Sequence, residues 1–282
     1  MICQRVGSTQ CFARIVEVVA ARDPVAHSVL TTSVRRVLRD HPDADVLWWV
    51  LEDGGRPLAV GQHFPPHGCG VHGMPDEAAA AAAGPLVDLL LAEQREVAGF
   101  SGPPEAATAA AAEWTARTGA GWRVSRELAR WVLDHLRAPA AVSGSARPAR
   151  PDEVDLAASW IRDFHAEVEI HDTVRREHIA AEIARGTLLV WADDADTPVS
   201  LGGWREPEGG VSRVGPVWTP PPLRGNGFGS AVTAAATGAA LAAGARDVCL
   251  YTDLANPVSN AIYARIGYRR VGEEVEVTLV SR

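Results

Sequence analysis

The stretch Thr219-Pro-Pro-Pro-Leu-Arg-Gly-Asn-Gly-Phe-Gly-Ser230 decides the fold of this chain. The alternating residues 211–218 before it predict a strand, and the alanine-rich residues 228–243 after it predict a helix. Glycines let a backbone turn tightly and approach a ligand closely. The free N–H groups at a helix start favour a phosphate, and Arg224 adds a cation with several donors. The glycine loop, residues 224–230, is therefore predicted to bind a pyrophosphate.

Two other phosphate-binding designs fit this loop poorly. The chain contains no lysine, which excludes a Walker loop and also pyridoxal Schiff-base chemistry. A dinucleotide-binding fingerprint needs a parallel βαβ unit with an acidic residue at the end of its second strand. Here residues 198–205 and 211–218 read as a hairpin, and Asp247 stands before the next predicted strand rather than at its end.

A second motif follows the glycine loop at a fixed distance. Leu250-Tyr-Thr-Asp253 reads as a strand, and Asn256-Pro-Val-Ser-Asn-Ala-Ile-Tyr-Ala-Arg-Ile-Gly-Tyr268 reads as a capped helix. Both motifs together resemble the GCN5-related N-acetyltransferase (GNAT) family, whose acetyl-CoA loop and Asn…Tyr…Gly-Tyr helix occur in this order. The resemblance covers about residues 145–282 well and the first half loosely.

The resemblance implies acetyl-CoA as cosubstrate and assigns roles to residues of the two motifs. Tyr263 matches the tyrosine that protonates the departing thiolate; a core tyrosine is the alternative. Asn256 is expected to cap its helix and also to contact CoA, while Ser259 occupies a small-residue position that packing alone explains. The remaining cofactor-binding positions are the end of the preceding strand and the loop itself: Val217, Trp218, Thr219, Arg224, Gly225, Asn226, Gly227, Phe228, Gly229 and Ser230.

The general base is not found at the position where many members of the family carry a glutamate. That position is about Arg213, and an arginine does not act as a base at neutral pH. Polar residues between the first two helices of this half, namely His165, Glu167, Glu169, His171 and Asp172, supply alternatives, although a solvated loop accounts for them equally well.

Composition limits the partners. The net charge of −8 argues against nucleic acid and anionic membranes, and no apolar run is long enough to span a bilayer. Four widely spaced cysteines without a CxxC motif, and charged residues in the N-terminal apolar stretch, predict a cytoplasmic protein. We predict no metal, because the spacing of His63, His67, Cys69 and His72 fits no standard zinc motif.

The chain is expected to hold two domains of one α/β fold, each a mixed, mostly antiparallel sheet flanked by helices. Residues 138–150, rich in Pro, Ala, Gly and Ser, read as a linker. Residues 151–282 are the predicted catalytic domain, and residues 1–137 the predicted degenerate copy. In this copy, residues 99–104 stand where a phosphate loop is expected but lack an arginine and the Gly-x-Gly spacing.

The family resemblance implies an N-acetyltransferase that moves an acetyl group from acetyl-CoA to a primary amine of a small molecule or peptide, directly and in a ternary complex. We expect a monomer or homodimer. Two alternatives remain open: a CoA-binding sensor or scaffold without catalysis, which the missing carboxylate at position 213 favours, and an acetyltransferase acting on a cysteinyl-sugar acceptor.

Overall fold

The computed structural model describes residues 1–73, 79–139, 142–170 and 173–280. Within these ranges the chain forms two compact units. Unit 1 comprises residues 1–130, 251–255 and 271–282, and unit 2 comprises residues 131–250 and 256–270. Both units are mixed α/β structures.

In unit 1, three antiparallel strands precede a parallel pair. The strand order begins β1-β2-β3-β4-β5, and the second half of β12 lies antiparallel beside β5. The elements in chain order are β1 (Ile2–Arg5), α1 (Thr9–Ala20), α2 (Ser28–Asp40), β2 (Leu47–Asp53), β3 (Arg56–His63), β4 (Cys69–His72), α3 (Ala79–Ala92), β5 (Gly99–Gly102), α4 (Pro104–Thr118) and β6 (Gly121–Leu133), which runs on into unit 2.

Unit 2 has a second sheet segment with the order β11-β10-β9-β8-β7, in which only β10 and β11 are parallel among the pairs named. The elements in chain order are β7 (Ser145–Pro148), α5 (Val154–Glu167), α6 (Arg176–Ala184), β8 (Leu188–Ala192), β9 (Pro198–Trp204), β10 (Val211–Trp218), α7 (Phe228–Ala242), β11 (Asp247–Asp253), α8 (Pro257–Ile266) and β12 (Tyr268–Val280).

The two halves of the chain have the same order of elements: a strand, two helices, three strands, a helix, a strand, a helix and a strand. In each half the third and fourth strands (β3 and β4, β9 and β10) are antiparallel, and the strands on either side of the third helix (β4 and β5, β10 and β11) are parallel. The predicted tandem repeat of one mixed, mostly antiparallel α/β fold is therefore confirmed.

Each helical layer covers its sheet with an apolar face. In unit 1, Trp49 and Phe100 lie in a core with α3 and α4, whereas Phe12 and Trp48 stack at 4.6 Å in a second core with α1 and α2. In unit 2, α7 packs its small side chains on the sheet together with Leu250. Alanines on α7 let the helix approach the strands closely. Gly229, in its first turn, lies beside Thr219 at the end of β10.

The structure of the first half contains elements that local sequence signals did not reveal. The sequence interpretation missed β1 and α1, although α1 has a clear amphipathic face. A proline inside a helix normally ends or kinks it, yet α3 continues through Pro85 as one helix. Burial of Leu86 and Leu90 in the core offsets the hydrogen bond that Pro85 removes.

The predicted phosphate-loop position of the first half also needs correction. Residues 99–102 form β5, the counterpart of β11, whereas the counterpart of the glycine loop lies between β4 and α3. Most of that connection, residues 74–78, lies outside the described residues. Its sequence, Met74-Pro-Asp-Glu-Ala78, has two carboxylates, no glycine and no arginine, which supports the view that this copy is degenerate.

The compact units divide the chain differently from the predicted segments 1–137, 138–150 and 151–282. β6, β11 and β12 each contribute residues to both units, so neither unit is one continuous stretch. The predicted linker contains β7, which pairs with β8. A sequence pattern gives the order of strands but not the unit in which each half of a long strand packs.

Candidate functional site

The candidate site is built around the end of β10, where strand pairing changes. β10 pairs in parallel with β11 only through Val211, Ser212 and Arg213, although both strands continue further. On the other side its antiparallel register with β9 shifts between Val214 and Val217. Pairing between β10 and β11 therefore stops in mid-strand, and that edge of β10 is left open to another hydrogen-bonding group.

Buried hydrogen bonds hold the end of β10 in place. The Ser200 hydroxyl, fully buried on β9, donates to the carbonyl oxygen of Trp218 at 2.9 Å and lies 2.8 Å from the Thr219 hydroxyl. Since Ser200 donates its proton to Trp218, the Thr219 hydroxyl is the donor in the second bond. The sequence analysis missed Ser200; a single serine among apolar residues of β9 was its only signal.

The glycine loop has the backbone that its glycines predict. Gly225 and Gly227 have φ angles of +86° and +82°, in the left-handed region that favours glycine. The Asn226 side chain donates to the Leu223 carbonyl oxygen at 3.1 Å and closes the turn. Gly227 is the N-cap residue of α7 and provides no side-chain cap. The first N–H groups of α7 therefore lack an intrahelical partner.

These N–H groups belong to Phe228, Gly229 and Ser230, the first three residues of α7. All three residues are half-buried, whereas Arg224, Gly225, Asn226 and Gly227 are exposed. The helix is 15 residues long, and its N-terminal end carries the positive pole of the dipole. The loop thus presents backbone donors and one cation on a surface accessible to an anion.

Arg224 is held by three interactions. Its Nε donates to the carbonyl oxygen of Thr219 at 3.0 Å, its Nη2 donates to Glu167 at 2.7 Å, and its guanidinium lies 4.8 Å from the ring of Trp218. Phe164 packs edge-on against the same ring. The end of α5 therefore positions Arg224, and Glu167, named above only as a candidate base, is its ion-pair partner.

The second motif takes the predicted helical form. Asn256 caps α8 by accepting a hydrogen bond from the Ser259 N–H at 3.0 Å, which confirms its structural role. Tyr263 is half-buried and packs against the same apolar cluster as Val217 of β10. Gly267 ends the helix with a φ of +104°. Val217 and Tyr263 thus share one core.

Burial raises the pKa of Tyr263 to about 12, while a hydrogen bond with the Ser259 hydroxyl acts in the opposite direction. The phenol is consequently neutral at pH 7 and able to donate its proton. A free thiol has a pKa of about 8.5, so proton transfer from this phenol to a thiolate is uphill in the unliganded protein. The assigned acid needs a bound ligand that lowers its pKa.

Other polar groups line this part of unit 2. The buried indole N–H groups of Trp204 and Trp218 have no hydrogen-bond partner within the described parts of the chain. Arg213 pairs with Cys249 of β11 through its backbone. Because residue 213 is an arginine, the position of the expected base carries no carboxylate. His165 is half-buried and Glu169 is exposed, whereas His171 and Asp172 lie outside the described residues.

No group of three or more His, Cys, Asp or Glu side chains within the described ranges is arranged to hold a metal ion. His63 instead contacts the His67 carbonyl oxygen at 3.1 Å, and Cys69 is buried in the core of unit 1. None of the helices in those ranges has both the length and the apolar character needed to cross a membrane.

Comparison with known proteins agrees with this geometry. Residues 194–277, which contain the end of β10, the glycine loop and α8, match the model of the FR47-like protein family, which is related to the GNAT proteins. No curated protein matches the sequence.

Solved structures resemble the chain over nearly its whole length. A GCN5-related N-acetyltransferase from Sphaerobacter thermophilus is 16% identical, with a TM-score of 0.67 and coverage of 100% of this chain and 96% of the other. A Drosophila protein is 14% identical (TM-score 0.72, 99% and 98% covered), and a tandem GNAT protein from the clavulanic acid biosynthesis pathway is 14% identical (TM-score 0.53, 99% and 98% covered).

The chain therefore has the tandem GNAT fold, and the resemblance on which the sequence interpretation rests is confirmed. The family match lies in the half of the chain that contains the glycine loop, whereas the neighbouring structures share the fold of both halves.

Proposed function

We propose that this protein transfers an acetyl group from acetyl-CoA to a primary amine of a small molecule or peptide. One observation carries the proposal. The glycine loop combines two left-handed glycines, the uncapped N-terminus of α7 and Arg224 at one exposed surface. Backbone donors, a helix dipole and a guanidinium together suit the pyrophosphate of CoA.

The open edge of β10 supports the placement of the rest of the cosubstrate. The pantetheine arm contains amide groups that can continue the strand pairing which β11 leaves off beyond Arg213. Val217 and Thr219 would contact this arm, and the unpartnered indole N–H of Trp218 offers a donor to one of its oxygens. Asn256 and Ser259 are proposed as further CoA contacts from α8.

Direct transfer in a ternary complex fits the side chains present. An acyl-enzyme would need a reactive thiol, and Cys249 is fully buried within β11. Tyr263 is the proposed acid that protonates the departing CoA thiolate. The base remains unassigned, and His165 or a water molecule would remove the proton from the acceptor amine. We further propose a cytoplasmic monomer or homodimer, consistent with four free cysteines.

A CoA-binding sensor or scaffold is the second candidate, and a specific observation favours it. Arg213 occupies the position at which the family resemblance implies a base, and Tyr263 has a pKa poorly matched to a thiolate in the unliganded protein. A cysteinyl-sugar acceptor is a variant of the enzymatic proposal, and it differs only in the amine supplied.

The proposal is tested by following thiol release from acetyl-CoA with a panel of amines that includes small polyamines, amino sugars, a cysteinyl sugar and peptide N-termini. Amine-dependent release that falls at least tenfold in Tyr263→Phe is expected. Tight acetyl-CoA binding without release for any amine would support the sensor instead, and absence of both would refute the proposal.

A further inference from the structure

Unit 1 contains a cavity that the proposed function does not use. Its volume is about 300 Å³, which is at the lower end of the range for small-ligand pockets. Apolar walls come from Val19, Ala26 and Pro103, and polar groups come from His27, His72 and Arg130. Every described residue that lines it belongs to unit 1, and none of these residues belongs to the glycine loop, β10 or α8.

Two buried histidines that line this cavity have ring nitrogen atoms without a hydrogen-bond partner among the described residues. His27, before α2, and His72, at the end of β4, are each only 6% exposed. The Nε2 atom of each ring has no hydrogen-bond partner among the described residues. Burial of a polar atom without a partner costs free energy, so two such atoms in one cavity indicate that a ligand or water satisfies them.

The protonation state of His27 follows from its contacts. Its Nδ1 lies 2.8 Å from the carbonyl oxygen of Asp23, which only accepts, so Nδ1 carries the proton. Burial lowers the pKa of His27, and burial together with the nearby His27 and Arg130 lowers the pKa of His72 to about 3. Both rings are neutral at pH 7. Nε2 of His27 is therefore an acceptor that requires a donor from a ligand.

Arg130 supplies the complementary group. Its Nη1 is 3.1 Å from Glu274, and both side chains are nearly buried, at 13% and 12% exposure. Its Nε–H is buried and has no partner within the described ranges. Since Glu274 already balances the charge of Arg130, the guanidinium offers the cavity a hydrogen-bond donor rather than an unpaired cation.

Gly73 keeps the space in front of His27 open. Its φ of +74° lies in the left-handed region, and an added Cβ would come within 3.0 Å of His27 Nε2 and 2.9 Å of Val19. Any other residue would therefore fill the cavity at the acceptor atom.

We propose that this cavity binds a small uncharged molecule that carries an amide or hydroxyl group on an apolar body. Such a group donates to His27 Nε2 and accepts from Arg130 Nε–H, while the apolar body contacts Val19, Ala26 and Pro103. Among the described residues, two arginines and two carboxylates line the cavity, so their formal charges cancel and an added ligand charge would stay unbalanced by them.

Four probes of one size test this site: benzamide, benzyl alcohol, benzoate and benzylamine. Each is titrated into the full-length protein while the imidazole resonances of His27 and His72 are followed by NMR. We expect saturable shifts with benzamide and benzyl alcohol at millimolar concentrations, and at least tenfold weaker binding of the two charged probes. No saturable shift with either uncharged probe would overturn the site, and equal or tighter binding of a charged probe would overturn the ligand class.

His27→Leu is the matched variant, because it keeps the apolar volume and removes the acceptor. It is expected to lose at least tenfold in benzamide affinity while it binds acetyl-CoA as the wild type does. A folded variant that binds benzamide like the wild type would contradict the role of His27. If the variant fails to fold, the comparison of the four probes on the wild type still decides the proposal.

Discussion

The proposed function predicts that Glu167 competes with CoA for Arg224, so removal of Glu167 tests the glycine loop. The Arg224 Nη2 donates to Glu167 at 2.7 Å, and the two side chains are 43% and 46% exposed. Exposed ion pairs of this kind contribute about 0.2–1 kcal/mol. A pyrophosphate bound at the loop must share or break this ion pair. The free energy of the ion pair is therefore subtracted from the free energy of binding.

We therefore expect Glu167→Gln to tighten acetyl-CoA binding. The stated free energy corresponds to an affinity gain of about 1.4- to 5-fold, since about 1.4 kcal/mol changes a binding constant tenfold. The gain should shrink at high salt, because salt screens interactions between exposed charges. Titration calorimetry at low and high ionic strength measures both effects.

Two controls distinguish competition between Glu167 and CoA for Arg224 from a general effect of surface charge. Glu169 is exposed and lies two residues after Glu167. Glu169→Gln removes the same charge, and it should change the affinity for acetyl-CoA less than Glu167→Gln does. In an Arg224→Ala background, Glu167→Gln should have no effect, since its partner is gone. Equal effects of Glu167→Gln with and without Arg224, or weaker binding in the single variant, would refute this reasoning.

Three further predictions concern the same unit. Tyr263→Phe should lower turnover, whereas Tyr268→Phe, which loses a buried 2.7 Å hydrogen bond with Thr237, should cost about 1 kcal/mol of stability in thermal unfolding and keep turnover. Because the pKa of Tyr263 is raised to about 12, its stabilising contribution is complete below pH 10 and is lost as the pH rises through 12. Tyr263→Phe should therefore flatten the fall of the unfolding free energy between these pH values. An unchanged slope would contradict the assigned burial of Tyr263. Gly227→Ala, at a φ of +82° and with its Cβ 3.0 Å from Val142, should cost about 1–2 kcal/mol and weaken acetyl-CoA binding, and unchanged affinity would argue against the loop.

Residues with local roles were predictable from the sequence. The glycine loop and α8 were found because their local conformations require particular residue types at fixed spacings. These are glycine at left-handed positions, an N-cap residue at the start of the helix and glycine at its end. α8 runs from Pro257 to Ile266, as the pattern predicted. Such signals depend on neighbours in sequence, so a single chain is enough to read them.

Features that depend on distant contacts were not predictable. The pairing of Arg224 with Glu167 joins residues 57 positions apart, and Ser200 supports Trp218 from another strand. In unit 1, the cavity joins His27, His72 and Arg130 from three separate elements, and none of these residues belongs to a motif. α3 likewise continued through Pro85 because tertiary burial outweighed a local signal.

Hydrogen exchange with and without acetyl-CoA tests the central claim most directly. The amides of Gly225, Gly227, Phe228, Gly229 and Ser230 lie at the exposed loop and at the uncapped end of α7, so they should exchange quickly in the free protein. Bound acetyl-CoA is predicted to slow their exchange, together with that of the end of β10. Saturating acetyl-CoA that leaves these amides unprotected, or protects only unit 1, would contradict the account.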